Sequence, residues 1–322
     1  MKEVLDFVNF DFHLPVTDPT WIFFLVLVII LFAPIVLERL RIPHIIGMIL
    51  AGVVIGEHGF NILARDSSFE LFGKVGLYYI MFLAGLEMNM EDFKSIRVKA
   101  TVLGLLAFIF PLGIGIWTNL HLLGYSLATS VLLASMYASH TLIAYPIVIR
   151  YGINRQRAVS IAVGGTAVTD TLTLLVLAVV GGMYKGETSE MFWIWLVLKV
   201  VVLSVVIMYA FPRIGRWFFR RYSDNVVQYI FVMAMVFLGA GLMEFVGMEG
   251  ILGAFLAGLV LNRLIPHVSP LMSHLEFVGN ALFIPYFLIG VGMLIDVNVL
   301  FGHIDSVKVA VVMIIVALLG KW

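Results

Sequence analysis

The sequence predicts an all-α polytopic membrane protein, and three observations carry that prediction. Hydrophobic residues make up 62% of the 322 residues, charged residues make up 12%, and the mean hydropathy is +1.07. A soluble core cannot bury so large an apolar fraction, so much of this surface must face lipid. The chain also contains a series of apolar segments of membrane-spanning length, and two of these segments recur later in the sequence.

Eleven segments have, or nearly have, the about 17–25 apolar residues that cross a bilayer as a helix. In chain order they are residues 20–38, 43–60, 72–90, 98–118, 126–149, 157–181, 191–212, 226–246, 250–264, 277–296 and 306 to the end. Residues 1–19 carry four acidic side chains and no apolar centre. We therefore expect them to form an extracytoplasmic lead-in and not a signal peptide.

Basic residues collect on one side when these segments are threaded through a membrane. One side receives thirteen lysines and arginines in its loops and the other side receives four. Cytoplasmic loops carry such an excess, so the N-terminus is predicted to be extracytoplasmic. The thirteen residues are Arg39, Arg41, Lys94, Arg97, Lys99, Arg150, Arg155, Arg157, Arg213, Arg216, Arg220, Arg221 and Arg263.

Two segments recur in the same order and at nearly the same separation. Residues 45–54 (IIGMILAGVV) match ILGAFLAGLV at six of ten positions 206 residues later, and residues 81–90 (MFLAGLEMNM) match YFLIGVGMLI at four of ten positions 205 residues later. Each segment lies seven membrane spans before its match. Because successive spans cross the membrane in opposite directions, an odd separation means that the two matching segments have opposite orientations. Inverted repeats are typical of secondary transporters, whose substrate binds near the midplane at broken helices.

This repeat predicts the organisation of the chain. A first six-helix repeat covers residues 20–183, a linker helix and a cytoplasmic basic loop cover 184–225, and the first four helices of the second repeat cover 226–322. The mates of the fifth and sixth helices would begin beyond Trp322, so we expect a complete protein of about 13 spans.

One carboxylate, Asp170, lies near the middle of the apolar stretch from Arg157 to Val180. An ionised side chain there costs at least about 2.5–3.5 kcal/mol on insertion scales. An ion or proton site in a water-filled cavity would explain the charge, and a buried, protonated carboxyl that packs between helices is the alternative. Thr166 and Thr169 beside it, together with two glycines, favour an oxygen-rich pocket at a close helix approach.

The fifth segment, residues 126–149, is the best candidate for a broken helix. Polar side chains cluster at mid-depth, and Pro146 removes a backbone donor one turn later; the cluster is Ser135, Ser139, His140 and Thr141. Unwound carbonyls and hydroxyls could coordinate a small cation there, whereas an ordinary proline kink would leave the hydroxyls bonded to their own helix. Because histidine is the side chain that ordinarily changes charge near neutral pH, His140 is either a packed residue or a pH sensor.

These motifs resemble those of the bacterial monovalent cation:proton antiporters of the sodium/proton exchanger superfamily, including the Kef-type potassium transporters. The resemblance covers all 322 residues and rests on RIPHIIGMILAGVVIG, FLAGLEMNM, the Ser/Thr stretch ahead of Pro146, GGTAVTDTL, and ILGAFLAGLVLNR followed by FIPYFLIGVGMLID. It implies an inverted-repeat sodium/proton antiporter fold with about eleven of thirteen helices present, assembled as a homodimer in the bacterial inner membrane. The acid that alternately binds the cation and the proton corresponds to Asp170.

One departure from the family pattern bears on charge movement. Electrogenic members carry two adjacent aspartates, whereas this chain has Thr169 before Asp170. The resemblance therefore implies electroneutral exchange of one proton per Na⁺ or K⁺, with Thr169, Thr141 and Ser139 as further ligands. Lys321 matches a lysine of the family and is an accessory candidate. Glu87 is either an interfacial carboxylate or an accessory ligand.

Other classes of function fit less well. An intramembrane aspartyl protease would need a second mid-depth aspartate on a facing span, so we do not expect an enzyme. A Kef-type gated potassium efflux system shares the fold and is the alternative function, with a possible C-terminal regulatory domain that this chain does not contain. Alternating access driven by the proton gradient needs no cofactor, and nothing in the sequence indicates nucleic acid binding.

Overall fold

The computed structural model describes residues 14–39, 44–87, 90–138, 156–184, 190–266, 268–302 and 304–320. These residues are almost entirely helical, and the β-pairing among them is an isolated bridge between Val16 and Leu63. The helices are α1 Pro19–Glu38, α2 His44–Ile55, α3 Ser67–Glu87, α4 Met90–His121, α5 Leu127–Ala138, α6 Arg157–Tyr184, α7 Glu190–Arg221, α8 Asn225–Phe245, α9 Gly250–Leu261, α10 Pro270–Val278, α11 Ile284–Met293, α12 Val297–Gly302 and α13 Ile304–Leu319.

The predicted fold class is confirmed. Within the described part of the chain, seven helices are long and apolar enough to cross a membrane, and four shorter apolar helices accompany them. Each of these helices overlaps one of the eleven apolar segments of the sequence, and of the fifth segment the structure describes residues 126–138. The protein is a multi-pass, all-α membrane protein.

Several helices extend beyond the predicted segments. α7 continues to Arg221, so Arg213, Arg216 and Arg220 lie on a helix and not in the expected basic loop. Arginine is a good helix former, and positive charge is favourable near a helix C-terminus, so the helix can leave the apolar region without ending. The tenth span begins at Pro270, and a π-helical turn at Gly279–Phe283 joins α10 to α11.

Aspartates begin two of the spans. The Asp18 carboxylate accepts hydrogen bonds from the amides of Thr20 and Trp21 at 2.9 and 3.1 Å, and Pro19 occupies the first position of α1. Asp224 accepts from the Val227 amide at 2.9 Å at the start of α8. These side chains satisfy amides that have no partner in the first turn of a helix.

Contacts divide the chain into two compact units, residues 1–77 with 278–302 and residues 78–277 with 303–322. In the first unit α2 crosses α11 where Gly52 meets Gly292. A methyl group on Gly52 would lie 2.1 Å from the Ile289 carbonyl oxygen, so the two backbones touch. Further along, Gly56 meets Met293, and His58 lies 3.5 Å from Asp296. Contacts therefore advance together along both helices, which run in the same direction.

The second unit repeats this arrangement with α3 and α9. A methyl group on Gly258 would lie 2.2 Å from the Phe82 carbonyl oxygen, and one on Gly85 would lie 2.4 Å from the Phe255 carbonyl oxygen. The Tyr78 hydroxyl lies at the start of α9, and the Asn262 amide donates to the Leu86 carbonyl at its end. These two helices also run in the same direction.

The two crossings are related by the sequence repeat. Gly258 lies 206 residues after Gly52, as the sequence match predicts, whereas Gly292 lies 207 residues after Gly85. The sequence match paired Gly85 with Gly290, 205 residues later. Gly290 instead lies beside the Phe69 ring. The alignment of the second pair of segments by their backbone contacts therefore differs by two residues from their alignment by sequence identity.

Candidate ion-binding site

The residues Thr169 and Asp170 lie in the middle of α6. Thr169 is fully buried, and its hydroxyl donates to the Thr166 carbonyl at 2.8 Å. Asp170 is partly buried. The hydroxyl of Thr166 likewise donates to the Ala162 carbonyl at 2.9 Å. Both threonines therefore direct their protons into their own helix and keep oxygen lone pairs free to accept or to coordinate.

Small residues let α4 approach α6 closely at this depth. A methyl group on Gly104 would lie 2.7 Å from both the Gly165 carbonyl oxygen and the Val168 Cβ. Gly164 and Gly165 are buried. The close approach predicted from the glycines beside Asp170 is therefore present, and it places the α4 backbone against the face of α6 that bears Gly165.

The helix α5 is joined to α6 by a side chain. The Thr173 hydroxyl donates to the Ser135 carbonyl at 3.2 Å, and Thr173 lies one turn beyond Asp170 on α6. Ser135 is buried, and its own hydroxyl donates to the Leu132 carbonyl at 2.7 Å. This hydrogen bond therefore holds α5 against α6 within one turn of Asp170.

The helix α5 is also hydrogen-bonded to α4. Asn119 is fully buried, its amide donates to the Ser130 carbonyl at 3.2 Å, and its oxygen accepts from the Tyr137 hydroxyl at 2.9 Å. The Ser130 hydroxyl is buried and has no hydrogen-bond partner among the described residues. Asn119 therefore contacts α5 at two points that are two turns apart.

A cavity of about 300 Å³ lies beside the two threonines. It lies among α4, α6 and the end of α13, and its lining is apolar apart from the threonines. The lining residues are Leu103, Gly104, Leu106, Ala107, Phe110, Ala162, Gly165, Thr166, Thr169 and Gly320. Gly320 also packs against Pro111 of α4.

The structure describes only some of the predicted site residues. Asp170 and Thr169 are adjacent on α6. Glu87 is the last residue of α3, and its side chain lies outside what the structure describes. The remaining candidates, Ser139, His140, Thr141 and Lys321, lie outside the described residues. Among the residues that are described, no cluster of three or more His, Cys, Asp or Glu could hold a metal ion.

Three residues of this region were not predicted from the sequence. Thr173, Asn119 and Tyr137 connect α4, α5 and α6, but no spacing in the sequence indicates which helices they join. Of the three, Asn119 could have been noticed in the sequence, because a carboxamide near the end of an apolar segment needs a hydrogen-bond partner when it is buried.

Comparison with known proteins places the chain in a family. Residues 27–322 match the family model described as sodium/hydrogen exchanger, transmembrane. The chain belongs to the sodium/hydrogen exchanger family. The Na⁺/H⁺ antiporter NhaS5 of Synechocystis is 39% identical over 305 residues, which are 94% of this chain and 43% of that protein. The probable Na⁺/H⁺ antiporter 3 of Methanocaldococcus jannaschii is 29% identical over 308 residues, 94% of this chain and 78% of the relative.

A solved structure of a sodium proton antiporter shares the fold. The sodium proton antiporter MjNhaP1 from Methanocaldococcus jannaschii, at pH 8, superposes with a TM-score of 0.70 at 16% identity, over 94% of this chain and 76% of that one. The predicted antiporter fold is therefore confirmed. The chain spans less than half of the length of the Synechocystis relative.

Proposed function

We propose that this exchanger-family protein is a secondary active transporter that exchanges a monovalent cation for protons across the membrane, with Asp170 as the shared binding group. The observation that carries the proposal is a carboxylate in the middle of the membrane-spanning helix α6, directly after the fully buried Thr169. Such a charge must be neutralised by a cation or a proton before it can cross an apolar barrier. The names of the two relatives support antiport and favour Na⁺ over K⁺.

Oxygen atoms around Asp170 would complete the cation site. Thr169 has its hydroxyl proton bonded to Thr166, so its lone pairs remain available for a hard cation. Ser139 and Thr141 would approach from the segment that follows α5.

Exchange would be electroneutral with one proton per cation. Thr169 occupies the first place of the two adjacent aspartates that electrogenic members of the resembling family carry, and its side chain has no titratable group. Asp170 binding one H⁺ or one Na⁺ would give a neutral site in both half-cycles. Lys321 follows Gly320, which lines the same cavity as Thr169, and this proximity supports an accessory role for the lysine.

Alternating access would move a core against a panel. The core comprises α3 to α6 and their repeat mates, including α11, and the panel comprises α1, α2, α8 and α9. Each of the two glycine crossings joins one core helix to one panel helix, α3 to α9 and α11 to α2. Close backbone contact at the glycines supports small sliding movements at both crossings.

The remaining features of the proposal follow from the charge distribution and the repeat. We place the N-terminus outside a bacterial inner membrane because the basic loops lie on the opposite side. The parallel pairs α2–α11 and α3–α9 support inversion of the repeat, because consecutive spans α2 and α3 cross the membrane in opposite directions. A homodimer is the expected assembly.

The test is exchange measured in proteoliposomes that contain the full-length protein and an internal pH-sensitive dye. Asp170→Asn should abolish cation-driven proton release for both Na⁺ and K⁺ while the protein remains folded, because it removes the titratable oxygen and preserves volume. Asp224→Asn is the matched control, since asparagine still caps α8. Full exchange by Asp170→Asn would overturn the proposal, and K⁺ flux without proton movement in the wild type would favour an efflux channel.

A further inference from the structure

We propose that Thr173 and the Asn119–Tyr137 pair are positioning residues that hold α5 from two sides and so set the affinity of the cation site. This inference rests on the proposed function. It concerns residues that neither the sequence motifs nor the family comparison single out. We name Thr173, Asn119 and Tyr137 together the α5 clamp.

The α6 side of the clamp couples the helix of the acid to α5. Thr173 and Asp170 are one turn apart, so any shift of α6 that moves the carboxylate also moves the Thr173 hydroxyl. That hydroxyl donates to the Ser135 carbonyl at 3.2 Å. Ser135 lies three residues before Ala138, the last described residue of α5. The bond therefore holds the described end of α5 against α6 within one turn of Asp170.

The α4 side of the clamp restrains α5 against sliding and rotation. The Asn119 amide donates to the Ser130 carbonyl at 3.2 Å and accepts the Tyr137 hydroxyl proton at 2.9 Å. Both Asn119 and Tyr137 are buried, and the Tyr137 ring fills the space that Gly115 of α4 leaves open. A buried amide that loses either partner keeps a desolvated polar group, so movement of α5 along α4 is opposed at both points.

These contacts predict an effect on binding that differs from an effect on folding. If the bond between Thr173 and Ser135 is lost, α6 is no longer held against α5 one turn from Asp170, and the carboxylate binds the cation less tightly. The helices themselves keep their apolar packing, since Ala134, Tyr137 and Val316 still form the small core that joins α4, α5 and α13. Loss of a clamp bond should therefore raise the KM for the cation more than it lowers thermal stability or maximal rate.

The experiment uses full-length protein in proteoliposomes and compares Thr173→Val and Tyr137→Phe with matched controls. Ser160→Ala on α6 and Thr118→Val on α4 remove hydroxyls that bond to carbonyls three or four residues earlier in the chain. Sodium KM, maximal rate and melting temperature are measured for each variant. We expect the sodium KM to rise about two- to ten-fold in each clamp variant and to stay within two-fold of wild type in the controls, which corresponds to the net strength of one hydrogen bond.

A conservative variant and an inactive variant separate the outcomes. Thr173→Ser keeps the hydroxyl and should return the KM to the wild-type value. A wild-type KM in folded Thr173→Val, with Asp170→Asn inactive, would overturn the clamp and leave the proposed function standing. Exchange by Asp170→Asn would overturn the proposed function itself. If Tyr137→Phe does not fold, the comparison of Thr173→Val with Thr173→Ser decides.

Discussion

Gly85 and Gly258 face each other where α3 crosses α9, with so little space that a methyl group on either would enter the backbone of the other helix. The pair Gly52 and Gly292 has the same relationship between α2 and α11. The two segments that repeat in the sequence therefore make the same kind of glycine contact in each half of the repeat. The two crossings also lie where the proposed core and panel meet.

Alanine at Gly85 should therefore destabilise the protein. The added methyl would lie 2.4 Å from the Phe255 carbonyl oxygen, and separating the helices should cost about 1–3 kcal/mol, as overpacking does in well-packed cores. Gly73 on the same helix is the matched control, because a methyl there meets nothing within 4 Å. Thermal unfolding of detergent-solubilised protein measures both. Equal melting temperatures for Gly85→Ala and Gly73→Ala would contradict the tight crossing.

A second pair of glycines on α8 offers an independent test of helix contact. Gly239 lies against α9, where its added methyl would be 2.8 Å from the Gly253 carbonyl oxygen, whereas a methyl on Gly241 has open space. We expect Gly239→Ala to lower the melting temperature and Gly241→Ala to leave it unchanged or to raise it, because alanine has the higher helix propensity. The reverse order would place the α8–α9 contact on a different face.

Asn262 should act through its donor atoms. Its amide donates to the carbonyl of Leu86, which is among the last four carbonyls of α3 and has no partner within the helix. Asn262→Ala should cost about 1–2 kcal/mol of folding free energy, and Asn262→Asp at least as much, because an ionised carboxylate cannot donate. Denaturation monitored by circular dichroism distinguishes the variants. Full stability in Asn262→Asp would show that the donor is not required.

The sequence predicts features that depend on neighbouring residues, but it does not predict contacts between helices that are distant in the chain. The eleven spans follow from apolar length, and Asp170 stands out because a charge in such a span is costly. The bonds from Thr173 to Ser135 and from Asn119 to Tyr137 connect different helices, and their partners are set by packing that no local pattern encodes.

The register of the second repeat pair shows the same limit. By sequence identity the repeat equivalent of Gly85 is Gly290. By position in the crossings its equivalent is Gly292, because close backbone approach depends on which glycine faces the neighbouring helix. Helix ends were predicted less well than helix centres. α3 starts five residues before its predicted segment, since Ser67, Ser68 and Glu70 form a first turn that is too polar to count as apolar span.

Charge movement tests the proposed stoichiometry. With Thr169 in place, exchange in liposomes should not respond to a potential set with a potassium ionophore, because a neutral site crosses in each half-cycle. Thr169→Asp should make the rate sensitive to potential, since one net charge couples to the field at about 2.3 kcal/mol per 100 mV. Thr169→Ser, which stays neutral, is the control. Potential-sensitive exchange by the wild type would contradict electroneutrality and would point to Lys321 as a second proton carrier.

Competition between Na⁺ and H⁺ for Asp170 is the central claim, and calorimetric titration of the purified full-length protein tests it most directly. Titration in buffers of different ionisation enthalpy counts the protons released when Na⁺ binds. The wild type should release protons on binding, with apparent affinity falling as the pH is lowered, and Asp170→Asn should neither bind Na⁺ nor release protons. Sodium binding by Asp170→Asn with wild-type affinity, or binding without proton release in the wild type, would contradict the account.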